Sequence, residues 1–379
     1  MEKFFIKTFG CIENTADSER IKAFYCDKGL IETDSWKNAD LVIINTCIIR
    51  ESAENRVYGL INEIDKQNKG NKPSASQLRG TSLDREASKR KPIKIIVTGC
   101  LAGLAHKDKT GKKLAQLKRD FPTVSEFLPI EKISFEIEPL RGKTGVALIP
   151  ISFGCSNFCS YCIVPFAKGP EISRKMEDIL KDIDKAIKDG FKQVMLIGQN
   201  VNSYGNDFTE ATLVSMGKKR FKSLFPKLLE EVAQRGLEKI SFVSSNPWDF
   251  SDELIDTIAK YPNIDRLLHL PFQAGDDEVL KNMNRGYTSE EYLELVVKIK
   301  SKIPDVRFST DIIIGFPGED EKAFDNTVEL CKKVGFEIAY INKYSPRKGT
   351  VSAKIYKDEV PMSEKKRRWI VLNDLINKK

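Results

Sequence analysis

Six apolar segments recur at regular intervals through the second half of the chain, and this rhythm constrains the fold more than any other feature. Segments of helical pattern separate them, for example residues 177–189, which end at the stop signal Gly190. Six βα units are too few for a closed eight-stranded barrel. The pattern therefore favours an open, partial (βα)6 barrel with ligand sites at the carboxyl ends of its strands. The apolar segments cover residues 147–153, 193–198, 239–244, 266–272, 307–316 and 337–344.

The first third of the chain has a separate strand–helix–strand pattern. A helical pattern covers residues 17–28, with Asp17 or Ser18 as its predicted cap. We therefore predict an α/β protein, with an N-terminal parallel-sheet domain (1–140) followed by the partial barrel (141–379). The three apolar runs of the first domain, each followed by a cysteine, are residues 4–9 before Cys11, 41–45 before Cys47, and 93–98 before Cys100.

These three cysteines are far apart in sequence, but each follows the end of a predicted strand. Because the carboxyl ends of parallel strands meet at one edge of a sheet, we expect Cys11, Cys47 and Cys100 to converge there. Scattered buried thiols are the alternative, since free cysteine is among the most buried residue types. Cys26 and Cys331 follow no such pattern, and we interpret them as packing thiols.

The amino-acid composition limits the kinds of site that are possible. The chain has eight cysteines and only two histidines, so a metal site would use mainly sulfur ligands, which points to zinc or iron–sulfur. It has no apolar run of about 20 residues and no N-terminal secretory pattern, so no membrane segment is expected and the cytoplasm is the default location. Disulfides are not expected there.

The segment 69–91 is polar and aperiodic, and we predict an exposed insertion. From Lys69 to Lys94 there are eight Lys and Arg against two Asp and Glu, a net charge of 8 − 2 = +6. Such a patch suits a polyanion such as nucleic acid. By itself the charge is better explained by a solvated loop.

The strongest local motif is Cys-x3-Cys-x2-Cys, formed by Cys155, Cys159 and Cys162 directly after the first predicted barrel strand. A 4Fe–4S cluster normally has four cysteine ligands. Three thiolates on one loop can hold three irons, which leaves the fourth iron open to a substrate. The alternatives are a structural zinc loop or buried thiols.

This motif and its place after a strand resemble the radical S-adenosylmethionine (SAM) superfamily. The neighbourhoods of Cys11, Cys47 and Cys100 resemble its methylthiotransferase branch, in which three such cysteines hold an auxiliary 4Fe–4S cluster. Within that branch the segment 197–205 is most similar to the MiaB group of tRNA enzymes. Segments 158–165, 269–273 and 344–350 also fit that group.

The resemblance implies two 4Fe–4S clusters and SAM as cofactors. Tyr161 would then lie against the adenine of SAM. Gly198, at a strand end, permits a close approach of ligand, and Gln199 and Asn200 offer amide groups to the zwitterionic end of SAM. Arg174 and Arg347 carry guanidinium groups for a carboxylate or phosphate, although ordinary ion pairs explain them equally well.

The implied reaction is insertion of a methylthio group at an adenine C–H of N6-isopentenyladenosine, next to the anticodon of tRNA. The implied partners are tRNA and an electron donor such as flavodoxin or ferredoxin. The alternative substrates are a threonylcarbamoyl-adenosine tRNA and a ribosomal protein. A cysteine-rich binding module without catalytic activity is a third hypothesis. No general acid, base or nucleophile is predicted.

Several positions depart from the pattern of the family. Lys168 precedes Gly169 where Arg is usual, Asn246 stands in place of His, and Ala274 and Asp276 stand in place of serines. The family usually ends in a small β-barrel RNA-binding (TRAM) domain, and we expect none before the last residue here. RNA contacts would then fall to the basic insertion and to the charged C-terminal helix that contains Lys365, Lys366, Arg367 and Arg368.

Overall fold

The computed structural model of the chain describes residues 1–48, 51–70, 91–133, 137–142, 145–216 and 218–378. The chain divides into two compact units. The first contains Met1–Gly142 together with the short segment Phe166–Lys168, and the second contains Lys143–Pro165 and Gly169–Lys379.

The first unit is a five-stranded parallel sheet with the strand order β2-β1-β3-β4-β5. Its central strand β3 is buried along its whole length, as expected for a parallel strand covered on both faces. Its elements are β1 (Lys3–Thr8), α1 (Ile12–Asp27), β2 (Ile31–Glu32), β3 (Leu41–Thr46), α2 (Glu51–Gly70), β4 (Lys94–Gly99), α3 (Cys100–Lys107), α4 (Lys112–Asp120) and β5 (Val124–Phe127).

The three predicted strands of this unit are confirmed as β1, β3 and β4. The two short outer strands, β2 and β5, were not predicted. The predicted start of the first helix is wrong, because α1 begins five residues before Asp17 and its N-cap is Cys11. Its polar first turns escaped prediction because Glu13, Asn14 and Asp17 are buried in the structure rather than exposed.

The second unit contains six parallel strands in two sheets, β6-β9-β12 and β13-β14-β15. Single bridges extend this pairing at Ile240–Ile264 and Gln273–Ile312. Its elements are β6 (Val146–Pro150), β7 (Ser152–Phe153), α5 (Val164–Lys168, of which Phe166–Lys168 belong to the first unit), β8 (Ile172–Ser173), α6 (Met176–Lys188), β9 (Gln193–Ile197), β10 (Thr212–Ser215), β11 (Lys218–Phe221), α7 (Phe225–Ala233), β12 (Lys239–Phe242), α8 (Asp252–Lys260), β13 (Leu267–His269), α9 (Asp277–Asn282), α10 (Ser289–Lys302), β14 (Arg307–Ile314), α11 (Glu321–Val334), β15 (Ile338–Lys343), α12 (Val351–Ile355) and α13 (Met362–Ile376).

All six apolar segments predicted as barrel strands are strands, namely β6, β9, β12, β13, β14 and β15. The predicted helix over 177–189 is α6, whose Ile179 and Ile183 are fully buried and whose last turn ends at Gly190 in the left-handed conformation (φ +91°). The strand-pairing pattern and the alternating helices confirm the partial (βα)6 architecture. One large apolar cluster fills this unit, as in a barrel whose interior is packed core rather than pore.

The two basic segments predicted to contact RNA have different outcomes. Most of the insertion, residues 71–90, lies outside the described residues. In the C-terminal helix α13, Lys365 and Arg368 are buried rather than exposed. Lys365 donates to Tyr344 O (3.0 Å) and pairs with Asp358 (2.6 Å), and Arg368 pairs with Glu319 (2.6 Å). These two cations stabilise the fold of the second unit and are not a docking surface for RNA.

Among the described residues, no helix has both the length and the apolar character that crossing a membrane requires.

Candidate iron–sulfur sites

The first cysteine group lies at the carboxyl edge of the parallel sheet in the first unit. Cys11 is the N-cap of α1 after β1, Cys47 follows β3, and Cys100 opens α3 after β4. Cys47 and Cys100 are buried, and Cys11 is exposed. Burial raises the pKa of Cys100, and nearby charge on Cys47 and Cys11 raises it further. The three thiols therefore lie near one another, as the strand pattern predicted.

A buried polar network joins the ends of these strands. Asn14 Oδ1 accepts from the backbone N–H of Cys11 (3.3 Å) and from its thiol (3.5 Å). Asn14 Nδ2 donates to Asn45 Oδ1 and to Thr46 O, both at 3.2 Å. Thr46 Oγ1 donates to Thr98 O (2.5 Å) and accepts from the N–H of the residue after Cys100 (3.1 Å). Because each member is bonded to the next, the network fixes the relative positions of the three cysteine-bearing loops.

Gly99 is required where β4 turns into α3. Its φ is +81°, and a Cβ there would lie 2.4 Å from Asn45 Oδ1 and 2.5 Å from Thr46 O. The backbone conformation favours glycine, and the neighbouring strand leaves no room for a side chain. The close approach of the two strand ends that brings Cys100 near Cys47 therefore depends on glycine at this position.

Charged side chains are buried beside this group. Lys168, from the short segment that belongs to the first unit, pairs with Glu13 at 2.6 Å, and their side chains are 9% and 3% exposed. Desolvation raises the pKa of Asp17, and the Lys168 ammonium opposes that shift. Lys168 also interacts electrostatically with Cys11 and Cys100. Sequence reasoning noticed Lys168 but did not connect it to Glu13 or to the cysteines.

The second cysteine group occupies one loop directly after β6 and β7. Gly154, with φ +70°, precedes the first cysteine, and a Cβ there would lie 2.1 Å from Pro170 O. The loop is held by the C-terminal end of α9: Ser160 N–H and Oγ donate to Met283 O (2.9 Å) and Asn282 O (2.7 Å). The loop is thus anchored by backbone contacts to the rest of its own unit.

The three thiols of this loop also interact. The pKa values of Cys155 and Cys162 are each raised to about 12, mainly by burial and in part by charge on Cys159. Arg285 donates from Nη1 to Cys159 Sγ at 3.3 Å. The loop therefore presents three neighbouring sulfur ligands, one of which already accepts a hydrogen bond from a cation.

Arg285 is the most constrained charged group near this loop. It is buried, its guanidinium lies over the rings of Trp248 (4.5 Å) and Tyr287 (5.3 Å), and Nη2 donates to Asn246 Oδ1 (3.2 Å). An arginine side chain suits this place because its planar guanidinium can stack and donate at the same time. Arg285 was not predicted from the sequence, because a lone arginine two residues before a tyrosine belongs to no recognisable motif.

The donor chemistry of both groups fits iron–sulfur clusters. Each offers three thiols and no imidazole, because His106 bonds to Phe127 O and His269 lies between Ser244 and Asp311. Burial makes an uncoordinated thiolate unfavourable at Cys100, Cys155 and Cys162, whereas coordination to a metal deprotonates a thiol outright. Among the described residues, no three Cys, His, Asp or Glu side chains are close enough to hold a single metal ion. A four-iron cubane spreads its cysteine sulfurs further apart than one zinc ion does.

Known proteins match the chain over both units. A model of the radical SAM superfamily matches residues 149–331, and a model described as the uncharacterized protein family UPF0004 matches residues 3–119. The tRNA-2-methylthio-N(6)-dimethylallyladenosine synthase of Thermotoga petrophila is 38% identical over 402 aligned residues, which cover 100% of this chain and 83% of the relative. This chain belongs to that family of radical SAM synthases.

Other members of the synthase family match to a similar extent. Those of Carboxydothermus hydrogenoformans and Clostridium botulinum (strain Okra) are 39% and 38% identical, each over 99% of this chain, and the aligned parts cover 83% and 81% of those relatives. The solved structure of the radical SAM methyltransferase TsrM from Kitasatospora setae, with cobalamin and a [4Fe-4S] cluster bound, aligns with a TM-score of 0.56 at 13% identity, over 93% of this chain and 77% of TsrM. It shows the fold alone.

In this synthase-family chain the predicted SAM-binding residues are distributed as follows. Tyr161 packs half-buried against the barrel core, and burial raises its pKa well above the ordinary value. Gly198 is buried at the end of β9, where a Cβ would lie 2.8 Å from Ser152 Oγ. Gln199 follows it and is half-buried.

Two other predicted ligand-binding residues are bonded within the protein. Asn200 donates to Asp249 Oδ2 (2.6 Å) and accepts from the N–H of Asn246 (3.1 Å). Arg174 pairs with Asp182 (3.2 Å) and donates to Pro150 O (2.7 Å). The ordinary ion pair that was one of the two interpretations of Arg174 is therefore present.

Two carboxyl groups near Asn200 were not predicted from the sequence. Burial raises the pKa of Glu171 to about 7 and that of Asp249 to about 6, and their mutual repulsion adds to the shift of Glu171. Ser203 Oγ donates to Glu171. Carboxyl groups with raised pKa values near a cysteine loop are candidates for contacts to a polar ligand.

Proposed function

We propose that this chain inserts a methylthio group at an adenine C–H of N6-isopentenyladenosine, next to the anticodon of tRNA. One observation carries the proposal: two separate groups of three neighbouring thiols, in a chain 38% identical over its full length to a synthase named for that product. A single cluster would be enough to fragment SAM. A second group is needed if sulfur is also to be supplied.

Cys155, Cys159 and Cys162 would hold one 4Fe–4S cluster and Cys11, Cys47 and Cys100 the other, each leaving one iron without a cysteine ligand. When bound, the clusters supply the electron that cleaves SAM to a hydrogen-abstracting radical and a site for the sulfur to be inserted. The chain itself orients Cys159 through Arg285 and fixes the loops that carry Cys11, Cys47 and Cys100 through Asn14 and its network.

SAM would lie at the carboxyl ends of the barrel strands. Tyr161 would contact its adenine, and Gly198 would allow its close approach. Gln199 and Asn200 would receive its amino and carboxylate groups. The buried bonds that Asn200 makes to Asp249 and Asn246 support a positioning role for this residue, since they hold its amide rigid. Arg174 is the weakest member of the set because Asp182 already neutralises it.

The remaining assignments follow from the same reaction. We assign residues 1–140 to the methylthiotransferase domain with the auxiliary cluster and residues 141–379 to the radical SAM domain. Cluster reduction requires an electron donor such as flavodoxin or ferredoxin, and the tRNA substrate makes the cytoplasm the expected location. The basic insertion, residues 69–91, is the proposed contact to the tRNA backbone.

The alternative substrates, a threonylcarbamoyl-adenosine tRNA and a ribosomal protein, are not favoured, since the relatives described above carry the name of the dimethylallyladenosine enzyme. A zinc module without catalytic activity is disfavoured for the same reason and because both groups keep all three cysteines.

The test is nucleoside analysis of tRNA from cells that lack the gene. We expect isopentenyladenosine without its 2-methylthio group, restored by the wild-type chain and by the Cys26→Ala and Cys331→Ala controls. Neither triple variant, C11A/C47A/C100A or C155A/C159A/C162A, should restore it. A normal level of the methylthiolated nucleoside in the deleted strain contradicts the proposal. Loss of a methylthio group from threonylcarbamoyl-adenosine instead favours the alternative substrate.

A further inference from the structure

Lys168 is a buried cation in the first unit that the proposed reaction leaves without a role. It ends the short helix α5, and its side chain is only 9% exposed. The residue before it packs closely: a Cβ on Gly103 would lie 2.4 Å from Ala167 O. The backbone at this place is thus held against α3, the helix that begins with Cys100. The ammonium is therefore fixed in position rather than free to move into solvent.

The surroundings of this ammonium are anionic or become anionic on metal binding. Glu13 pairs with it directly at 2.6 Å. Glu13, then Cys100, Asp17 and Cys11, each stabilise its charged form and hold the pKa of Lys168 above the ordinary value despite desolvation. Two carboxyl groups and two of the three candidate cluster ligands thus interact electrostatically with the same buried lysine.

Glu13 by itself would be enough to neutralise Lys168. When the cysteines ligate iron as thiolates, however, the site gains negative charge in a desolvated environment. Electrostatic interactions are strong there because little water screens them. Net charge and burial are among the main determinants of the reduction potential of an iron–sulfur cluster.

We propose that Lys168 is a positioning residue of the auxiliary site whose ammonium, opposed by Glu13, sets the reduction potential of the cluster held by Cys11, Cys47 and Cys100. This inference depends on the auxiliary cluster of the proposed function. Reduction adds one electron from an external reductant to the cluster and changes no bond of the protein. A fixed positive charge stabilises the added negative charge and so raises the potential, and a fixed negative charge lowers it.

The test uses the full chain with C155A/C159A/C162A, so that only the N-terminal cluster is present, and follows its reduction by electron paramagnetic resonance during a dithionite titration. Lys168→Met should shift the potential to more negative values, and Glu13→Gln should shift it to more positive values. Lys168→Arg, which keeps the charge, should remain close to the parent. Lys22→Met is the matched control, because it breaks the exposed pair with Glu32 (2.5 Å) in the same unit.

Opposite shifts distinguish electrostatic tuning from a structural role, since Lys168→Met and Glu13→Gln break the same ion pair. Shifts in the same direction, or none, overturn the proposal. If Lys168→Met fails to load iron while Lys168→Arg and Glu13→Gln load normally, the Glu13→Gln variant decides: a potential shifted to more positive values supports the proposal, and an unchanged or more negative potential overturns it. If all three fail, the pair is structural and the proposal is wrong. Absence of iron from the parent triple variant overturns the auxiliary cluster itself and this inference with it.

Discussion

The two cysteine groups are built in opposite ways. In the first unit, three strands separated by long stretches of sequence each contribute one cysteine, and a buried network through Asn14, Asn45 and Thr46 aligns them. In the second unit, all three cysteines share one loop, which is docked through backbone contacts at Met283 and Asn282. The first group therefore depends on tertiary structure for its existence, and the second depends on it only for its orientation.

The buried charges near the two groups differ in the same way. Lys168 faces the first group together with two carboxyl groups, Glu13 and Asp17. Arg285 donates directly to Cys159 in the second group. A lysine among several anions changes the net charge of the whole site. A stacked arginine that donates to one sulfur stabilises negative charge on that single ligand. The first group is therefore surrounded by several buried charges, whereas the second has a direct hydrogen bond from one cation to one sulfur.

The largest expected effect comes from removing either cysteine group completely. The C155A/C159A/C162A variant should retain about four irons per chain, those of the other cluster, and should form no 5′-deoxyadenosine from SAM. The C11A/C47A/C100A variant should also retain about four irons but should still cleave SAM, without forming the methylthiolated product. Iron analysis and chromatography of the products measure both quantities. Identical products from the two variants would show that the groups do not have separate roles.

The next largest effect is a loss of stability when either of the two glycines that precede cysteines is replaced by alanine. Gly154→Ala introduces a Cβ 2.1 Å from a backbone oxygen, Pro170 O, and Gly99→Ala introduces one 2.4 Å from a side-chain oxygen, Asn45 Oδ1. We expect a loss of roughly 3 kcal/mol of unfolding free energy or more at each position, because a Cβ at Gly99 would also lie 2.5 Å from Thr46 O, so that backbone must shift in both variants.

Denaturant unfolding measures this pair, with Gly190→Ala as the control. Gly190 has a comparable positive φ (+91°), but a Cβ there meets nothing within 4 Å. Its cost should be about 1 kcal/mol, the strain of the conformation alone. If all three variants lose equal stability, the close contacts at the two cysteine-bearing loops contribute nothing to it.

Much of this architecture could be predicted from the sequence. The six barrel strands and three strands of the first unit follow from apolar periodicity, and the convergence of Cys11, Cys47 and Cys100 follows from strand ends in a parallel sheet. The contact between Lys168 and Glu13 could not be predicted, because the pair joins residues 155 positions apart and only the folded chain brings them together. The early start of α1 was missed because its polar first turns are buried in a network, which reverses the usual relation between polarity and exposure.

Substitutions of Arg285 test whether the second cysteine group depends on the hydrogen bonds of this one arginine. Arg285→Met should lower the unfolding free energy by about 3 kcal/mol, because it leaves buried acceptors at Asn246 and Pro271 without their donor. Arg285→Lys keeps the charge but loses the fork, so it should cost less and still weaken the contact to Cys159. Arg307→Met, at the exposed pair with Glu337, is the control and should change stability by less than about 1 kcal/mol. Full stability of both Arg285 variants would contradict the proposed anchoring.

The smallest expected effect is a pH dependence confined to the second unit, where Glu171 is surrounded by other carboxyl groups, Asp249 and Asp207, rather than by a lysine. Its pKa rises from an ordinary 4.5 to about 7 on folding, so the folded chain binds its proton more tightly than the unfolded chain does. Stability should therefore fall as pH rises from about 4.5 through 7. Between pH 5 and pH 8, the unfolding free energy of Glu171→Gln, which keeps an acceptor for Ser203, should increase by about 2 kcal/mol relative to that of wild type.

Denaturant unfolding at the two pH values measures this difference, and Glu290→Gln on the exposed first turn of α10 is the control. An equal difference in unfolding free energy between variant and wild type at both pH values would mean that Glu171 is ionised throughout. The carboxylate of Glu171 would then be stabilised as well as the carboxylates near Lys168 in the first unit.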